Sequence, residues 1–243
     1  MDLKDKIVVI SGATGGIGKA LAEMFSKEGS KLILVGRNKD KLQELQKNID
    51  NSEIYVCDFA DPRQITRVTE QIIKDFPIIN VVVNCGGIGV YKDLEQVESK
   101  DLEDSFKINV EAPYFLSKGL LTALKQDENS RVINIGSGAG VMPMAGRSVY
   151  CATKFALRGM TLSLDEEYKG SSPSFTVITL GSTLTDFGPL SIEDKKEHQK
   201  QGKHYFTPER VARKIVGLLK ANALDSEFVF YPSQYADETP SQN

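Results

Sequence analysis

The sequence predicts an α/β fold: a single domain with a doubly wound parallel sheet of about seven strands and helices on both faces. Short apolar segments rich in Val and Ile alternate with longer segments of helical periodicity. Such alternation builds right-handed strand–helix–strand crossovers and therefore a parallel sheet. The 243 residues are 40% apolar, which is enough for one substantial core. Ligands in this architecture bind at the carboxyl ends of the strands, where the strand order reverses.

Each element is a segment in which the apolar pattern keeps one period. The predicted strands are 6–11, 31–36, 53–57, 78–84, 130–136, 174–180 and 226–231. The predicted helices are 16–29, 39–49, 62–75, 101–126, 149–169 and 208–221. We expect the domain to occupy residues 1–236 and the polar tail 237–243 to be disordered.

Composition and charge narrow the possible partners and compartments. The net charge is -3, and no run of Lys and Arg alternates with aromatic residues, so neither nucleic acid nor a membrane surface is an expected partner. No apolar segment reaches the ~20 residues that span a bilayer, and no signal-type segment precedes the first strand. The scattered Cys57, Cys85 and Cys151 suit a reducing compartment, and we expect them to be buried or half-buried without a disulfide or zinc. We therefore expect a cytoplasmic protein.

The segment 11–18 connects the first strand to the first helix and contains Gly12, Gly16 and Gly18. Amide groups at the start of a helix lack intrahelical partners and lie at the positive end of the helix dipole, so they can bind a pyrophosphate. Glycine lets the anion approach, because a Cβ would hold it away from the backbone. A tight turn without a ligand is the alternative interpretation.

Four polar residues further along the chain can carry proton chemistry. Tyr150 and Lys154 lie four residues apart on a predicted helix and so point to one face. At about 4 Å and an effective dielectric near 20, their interaction of roughly 4 kcal/mol would bring the tyrosine pKa from about 10 towards about 7. Ser137 follows a strand, where its hydroxyl can bind a substrate oxygen, and Asn109 lies inside a helix, where it needs a polar partner or water. Singly, these residues are also explained as a helix-surface pair, a turn residue and a locally bonded amide.

The glycine spacing G-x-x-x-G-x-G, followed by these four residues in this order, resembles the short-chain dehydrogenase/reductase family in its branch of about 250 residues. The resemblance covers nearly all of residues 6–231 and implies a Rossmann-like fold. It implies hydride transfer between nicotinamide C4 and a carbonyl or secondary alcohol carbon, with no metal. Tyr150 would give the proton to the carbonyl oxygen, and Ser137 would polarise that oxygen. Lys154 would bind the ribose and lower the Tyr150 pKa, and Asn109 would hold a water in the proton path.

The resemblance also implies a cofactor site. An NAD site needs an acidic side chain at the end of the second strand, but this chain has Gly36 and then Arg37, whose guanidinium can neutralise a 2′-phosphate. We therefore predict NADP(H) in preference to NAD(H), with a solvated arginine as the alternative. Asp58 resembles the aspartate that accepts from the adenine amino group, or else serves as an N-cap or loop acid. The predicted cofactor-binding residues are Gly12, Thr14, Gly15, Gly16, Ile17, Gly18, Arg37, Asn38, Asp58, Phe59, Asn84, Gly86, Gly87, Tyr150, Lys154, Gly181, Thr183 and Thr185.

Two segments depart from the family's pattern. Where the family has Asn-Asn-Ala-Gly, residues 84–87 read Asn-Cys-Gly-Gly, and the missing second asparagine puts in doubt the side-chain bonds that brace the central sheet. After the sixth strand, Leu180 replaces a proline before Gly181, which is expected to loosen the nicotinamide end. Thr185 would bind the carboxamide, or would cap the next helix.

Residues 186–206 are the least family-like segment, and their position indicates a substrate lid. Their charges fit a solvated helix better, and neither His198 nor His204 has a partner at metal-binding spacing. Arg147 can meet an anionic substrate or face water, and water is the preferred interpretation. The predicted substrate pocket consists of Val90, Val141, Met142, Arg147, Leu184 and Phe187.

These observations predict an NADPH-dependent reductase of a small-molecule ketone or other carbonyl. A 3-oxoacyl thioester on acyl carrier protein or coenzyme A is the alternative substrate, and a non-catalytic NADPH-sensing module is the alternative from another class. The complete set of Tyr, Lys, Ser and Asn argues against a sensor. The family pairs through the helices that carry these residues, so a homodimer or homotetramer is expected. The second of these helices is apolar on more than one side, through Phe155, Leu157, Met160, Leu162 and Leu164.

Overall fold

Seven parallel strands form one sheet in a computed structural model that describes residues 1–235. The strands are Ile7–Ser11 (β1), Lys31–Gly36 (β2), Ser52–Val56 (β3), Val81–Asn84 (β4), Arg131–Ile135 (β5), Ser174–Leu180 (β6) and Glu227–Phe230 (β7). Their order across the sheet is β3-β2-β1-β4-β5-β6-β7. The predicted single-domain α/β fold is confirmed, although the fourth strand begins at Val81 and not at 78. The predicted tail 237–243 lies outside the described residues.

Helices connect the strands and cover both faces of the sheet. Within residues 1–235 they are Gly16–Lys27 (α1), Lys39–Gln46 (α2), Pro62–Asp75 (α3), Ser99–Phe106 (α4), Ala112–Leu124 (α5), Ser148–Glu167 (α6), Ile192–Lys200 (α7) and Pro208–Lys220 (α8). The helix predicted at 101–126 is divided by a π-helical turn at Lys107–Glu111. The helix α7 confirms the helical interpretation of the charges in 186–206. None of the described helices has the length and apolar character needed to cross a bilayer.

The side chains of β1 show how the two cores form. Val8 and Ile10 point to one face and pack in a cluster with Phe25 of α1. Val9 points to the other face and packs with Ile72 of α3 and Leu116 of α5. Because successive side chains of a strand alternate between faces, an apolar strand covered on both faces must be apolar at every position.

The strand order reverses between β1 and β4. The chain leaves β1 towards β2 and β3, and then returns to place β4 on the other side of β1. Ser11 lies opposite Asn84 in the register of these two strands. The loops after β1 and β4 therefore start side by side, which creates a crevice at the carboxyl edge of the sheet.

Candidate active site

A cavity of about 1150 Å³ runs along this edge, and residues that follow all seven strands line it. The predicted site residues in its wall are Gly12, Thr14, Gly15, Gly16, Ile17, Gly18, Arg37, Asp58, Phe59, Gly86, Gly87, Ser137, Met142, Arg147, Tyr150, Lys154, Gly181, Thr183, Thr185 and Phe187. The structure places six others outside the wall: Asn38, Asn84, Val90, Asn109, Val141 and Leu184.

The turn between β1 and α1 requires glycine for reasons of space as well as of conformation. Gly12 has a φ of +66°, and a Cβ there would lie 2.6 Å from the backbone of Gly86. A Cβ on Gly18 would lie 2.2 Å from the Gly12 carbonyl oxygen. The glycines therefore let the turn pack directly against the loop after β4.

The start of α1 offers an anion site that fits a dinucleotide pyrophosphate. The N-cap residue Gly15 provides no side-chain hydrogen bond, and the first turn contains no acidic residue. The amide groups of this turn therefore stay available at the positive end of the helix dipole. Gly15 and Gly16 are exposed to the cavity, and a Cβ on Gly16 would lie 2.6 Å from the Thr185 side chain.

Two cations line the end of the cavity beyond β2. Gly36 is buried, the exposed Arg37 follows it, and Lys41 lies four residues further on, in α2. The side chain of Lys41 leans back towards the start of the helix, because helix side chains tilt towards the N-terminus. Asn38 instead caps α2, because its side chain accepts from the Lys41 amide at 2.9 Å. Arg37 and Lys41 together give this end a positive charge suited to a phosphate.

Asp58 and Phe59 form the neighbouring wall. The Asp58 carboxylate accepts from the amide of Ala60 at 3.0 Å, whereas Asp61 caps α3. The N-cap alternative for Asp58 is therefore wrong, and a loop acid facing the cavity remains. The ring of Phe59 packs against Gly86, where a Cβ would lie 2.9 Å from a ring carbon.

Asn84 lies below the cavity and braces the sheet. Its Nδ2 donates to Asn134 Oδ1 at 2.8 Å, and Asn134 Nδ2 donates to Thr161 Oγ1 at 2.8 Å. Nδ2 also donates to Ser117 Oγ at 3.2 Å. The brace that the sequence put in doubt at Cys85 is thus supplied by Asn84 and Asn134, which pair across β4 and β5. Asn84, which is predicted to bind the cofactor, lies outside the cavity wall with its side chain directed into the interior.

The three cysteines are free thiols, with Cys57 and Cys151 buried and Cys85 half-buried, as predicted. Burial raises the pKa of Cys57 and of Cys85 to about 12, so both thiols are neutral at neutral pH. Within residues 1–235, no three His, Cys, Asp or Glu side chains come together in a group that could hold a metal ion.

Asn109 stands one layer behind the cavity wall, in the π-helical turn. Its Oδ1 accepts from the amide of Ile88 at 2.8 Å, and its Nδ2 donates to the carbonyl of Ile88 at 2.8 Å and to Thr153 Oγ1 at 3.0 Å. A Cβ on Gly87 would lie 3.1 Å from Asn109 Oδ1 and 3.9 Å from Lys154 Nζ. Asn109 therefore ties the loop after β4 to α6 close to Lys154. The π turn, a feature common at functional sites, is what aims the amide there.

Lys154 is buried in α6, and its ammonium is turned towards the end of β5. Nζ donates to the Ile135 carbonyl at 2.9 Å and lies 5.9 Å from the centre of the Tyr150 ring. Burial lowers the pKa of Lys154 to about 8. The residue lines the cavity, so a charge that is costly to bury is kept at this site.

Tyr150 is only 6% exposed, and burial raises the pKa of its phenol. A side-chain hydrogen bond with Ser137 opposes this rise. Ser137 itself follows β5 and accepts from the Ala139 amide at 3.2 Å. The expectation that Lys154 lowers the Tyr150 pKa towards 7 is wrong, because loss of hydration outweighs every nearby charge and the ammonium is bonded to Ile135.

Aromatic and cationic side chains surround the phenol. The Tyr150 ring centre is 5.9 Å from that of Tyr91 and 5.8 Å from that of Phe187. The Arg147 guanidinium carbon lies 5.3 Å from the centre of the Tyr91 ring, and the residue lines the cavity. Arg147 therefore lies in the cavity wall, where its guanidinium can meet water or an anionic substrate.

The start of the predicted lid is held by a lysine from α7. Thr185 is buried and does not cap that helix, whose N-cap is Ser191. Lys195 is 5% exposed, and its Nζ donates to the carbonyls of Thr185 and Phe187 at 2.6 Å each. The helix α7 is therefore not solvated on all sides. The turn after Leu180 is also bonded, since the next amide donates to a β7 carbonyl at 2.7 Å.

Sequence reasoning missed several cavity residues, among them Lys41, Tyr91, Met144, Lys195 and Tyr231. Lys41 had a signal, because it lies in the first turn of the predicted helix that follows Arg37, and helix side chains tilt towards the N-terminus. Tyr91 and Tyr231 follow strands of the sheet, as most cavity residues do, but no motif marks them. Lys195 lies within a charged run that looks like a solvated helix face, and only the packing of α7 reveals its position.

Comparisons with known proteins agree with this geometry. The short chain dehydrogenase family model matches residues 6–196. An uncharacterized oxidoreductase of Staphylococcus saprophyticus is 29% identical over 240 residues, 96% of this chain and 98% of that protein. The 3-oxoacyl-[acyl-carrier-protein] reductase of Rickettsia conorii is 32% identical over 195 residues, 79% of this chain and 75% of that protein. The closed form of a serine dehydrogenase complexed with NADP⁺ has a TM-score of 0.84 at 26% identity, covering 98% of this chain and 99% of that one. The chain therefore belongs to the short-chain dehydrogenase family and is an oxidoreductase.

Proposed function

We propose that this protein reduces a ketone or other carbonyl to an alcohol with NADPH. The observation that carries the proposal is that Ser137, Tyr150 and Lys154 line the same cavity as the glycine turn. Bound nicotinamide would supply a hydride to the carbonyl carbon. The carbonyl oxygen would take a proton from the protein, so that one carbonyl, one NADPH and one proton give one alcohol and one NADP⁺.

Tyr150 is the proposed proton donor. Burial raises its pKa, so the phenol keeps its proton at neutral pH, which is the state that reduction requires. Ser137, which lies close enough to Tyr150 to oppose the rise in its pKa, would donate to the same substrate oxygen and polarise the carbonyl. Both hydroxyls would thus meet the oxygen on which negative charge develops.

Lys154 and Asn109 would bind the ribose and resupply the proton. Lys154 Nζ uses one of its three donors on the Ile135 carbonyl, which leaves two for ribose hydroxyls. A pKa of about 8 lets this amine exchange protons near neutral pH. Asn109 Oδ1 and Lys154 Nζ approach the same side of Gly87, where a water would complete the path to solvent.

The preference for NADPH follows from the positive end of the cavity. Arg37 and Lys41 would bind the 2′-phosphate, while Gly36 offers no carboxylate to the hydroxyls of an NAD ribose. The serine dehydrogenase of similar fold was solved with NADP⁺. Gly181, Thr183 and Thr185 would hold the nicotinamide end.

We also propose a homodimer or homotetramer that forms through α5 and α6 and acts in the cytoplasm. Tyr114 and Phe115 on α5 and Phe155 on α6 are exposed, and exposed aromatic side chains of this kind favour association. Leu157 points inward and is buried, so it supports the core and not the partner surface.

The test is turnover by the purified protein with NADPH and a panel of ketones, aldehydes and 3-oxoacyl thioesters. Tyr150→Phe is expected to lower kcat by about 10²-fold or more, the range of general acid catalysis, while NADPH affinity is retained. Tyr168→Phe is the matched control, because that ring packs on Phe175 away from the cavity. Unchanged turnover in Tyr150→Phe would overturn the assigned proton donor. Tight NADPH binding without turnover of any carbonyl would favour the sensor instead.

A further inference from the structure

We infer that the substrate carries a carboxylate, which Lys195 and Tyr91 bind at the lid end of the cavity. The inference rests on the proposed carbonyl reduction and deepens it, because it names the substrate class as a short oxo acid. It rests on the buried ammonium of Lys195, which has one hydrogen-bond donor without a partner in the part of the chain that the structure describes. In the same cavity wall, Tyr91 supplies a further donor and Arg147 a further positive charge.

Lys195 lacks an anionic partner within the described residues. Its Nζ donates to two backbone carbonyls, those of Thr185 and Phe187, and to no carboxylate. An ammonium has three donors, so one remains. A buried charge without a counter-ion is costly, and a carboxylate in the cavity would remove that cost while accepting the third hydrogen bond.

The hydroxyl of Tyr91 and this ammonium both lie close to Gly188. The position that a Cβ on Gly188 would occupy is 3.6 Å from Tyr91 Oη and 3.8 Å from Lys195 Nζ. All three residues line the cavity. A hydroxyl and an ammonium that converge on one point of a cavity wall can donate to the two oxygens of one carboxylate.

Arg147 adds a second positive charge behind Tyr91. Its guanidinium lies over the Tyr91 ring, and its polar contact within residues 1–235 is the sulfur of Met144 at 3.5 Å. Asp186 is the acidic residue that acts on Lys195, and it lines the cavity as an exposed side chain outside ion-pair distance. The local balance therefore favours an anion.

This subsite lies next to the proposed proton donor. The Tyr91 ring that carries the hydroxyl is 5.9 Å, between ring centres, from the Tyr150 ring. A carboxylate at Tyr91 and a carbonyl oxygen at Tyr150 would then be within reach of one small molecule. The Phe187 ring, 5.8 Å from Tyr150, would cover the apolar part of that molecule.

The experiment compares 2-oxo, 3-oxo and 4-oxo acids with their methyl esters as substrates of the wild-type enzyme with NADPH. In at least one pair, we expect kcat/KM for the acid to exceed that for the ester by about tenfold or more, the effect of one charge-assisted hydrogen bond. Lys195→Met is expected to remove that preference, because kcat/KM for the acid falls about tenfold or more further than kcat/KM for the ester, mainly through the KM of the acid. Lys196→Met, the exposed neighbour on α7, is the matched control and should keep the preference.

Tyr91→Phe keeps the ring and removes only the hydroxyl, so it tests the subsite even where Lys195→Met fails to fold. Its acid preference should fall as well. Esters that are reduced as well as the acids in every pair would overturn the inference and leave the proposed reductase intact. Equal losses on acid and ester in both variants would also overturn it, and would make Lys195 a lid-positioning residue only. No turnover of acids, esters or neutral ketones by the wild type would overturn both proposals.

Discussion

Replacing Lys154 by methionine measures the cost of keeping an ammonium in this site. Burial lowers the pKa of Lys154 to about 8 from its usual 10.5, so the unfolded chain binds the proton more tightly than the folded one. Wild-type stability therefore rises with pH between about 8 and 10.5, as this proton is lost from the folded state first. At about 1.4 kcal/mol for each pH unit, the interval is worth about 3 kcal/mol, and Lys154→Met lacks this contribution.

The difference in free energy of unfolding, variant minus wild type, is thus largest at pH 7 and falls by about 3 kcal/mol as the pH approaches 10.5. Loss of the bond to the Ile135 carbonyl shifts the whole difference downwards without changing its slope. Urea denaturation of both proteins at each pH measures this difference. The contributions of the titrating groups that the two proteins share cancel in it. Lys118→Met removes an exposed lysine of α5 and is expected to follow the wild-type curve. Parallel curves for Lys154→Met and the wild type would refute the reasoning.

Two further substitutions test the ends of the cofactor site. Arg37→Ala is expected to weaken NADPH binding by about tenfold or more and NADH binding by less than about threefold. Calorimetric titrations measure both affinities, with Lys39→Ala as the control. Equal losses for the two cofactors would remove the case for a bound 2′-phosphate. Gly12→Ala is expected to lower the free energy of unfolding by about 2 kcal/mol or more, because of its positive φ and the contact with the loop after β4. Gly217→Ala, in an open helix position, should raise it by about 0.5–1 kcal/mol, and a similar effect of both would contradict the packing argument.

The sheet, most helices and the glycine turn were predictable because their determinants are local. Val8, Val9 and Ile10 are apolar at every position, which indicates a strand buried on both faces. The glycine turn was predictable because part of its requirement is local: a Cβ on Gly18 would meet the carbonyl of Gly12, six residues earlier. Ser137 and Tyr150 were brought together as expected, since the end of a parallel strand and a helix start must meet at the same edge of the sheet.

The features that the sequence did not reveal depend on contacts between distant segments. The four-residue spacing of Tyr150 and Lys154 does not predict that Lys154 donates a hydrogen bond to the carbonyl of Ile135. Arg147 reads as a surface cation until Tyr91 is seen beneath it. The burial of a polar side chain depends on the tertiary structure. A pKa argued from sequence with an assumed effective dielectric therefore omits the cost of desolvation.

Desolvation, and not the charge of Lys154, governs the proton chemistry of the pair. It favours the neutral form of each group, so it holds the proton on Tyr150 and loosens the proton on Lys154. The proposed reduction uses a phenol that keeps its proton, whereas oxidation of an alcohol would need the phenolate that burial disfavours. A lysine with a pKa of about 8 is well placed to return the proton after each turnover. Retention of the proton on Tyr150 at neutral pH therefore favours the reductive direction of the proposed reaction.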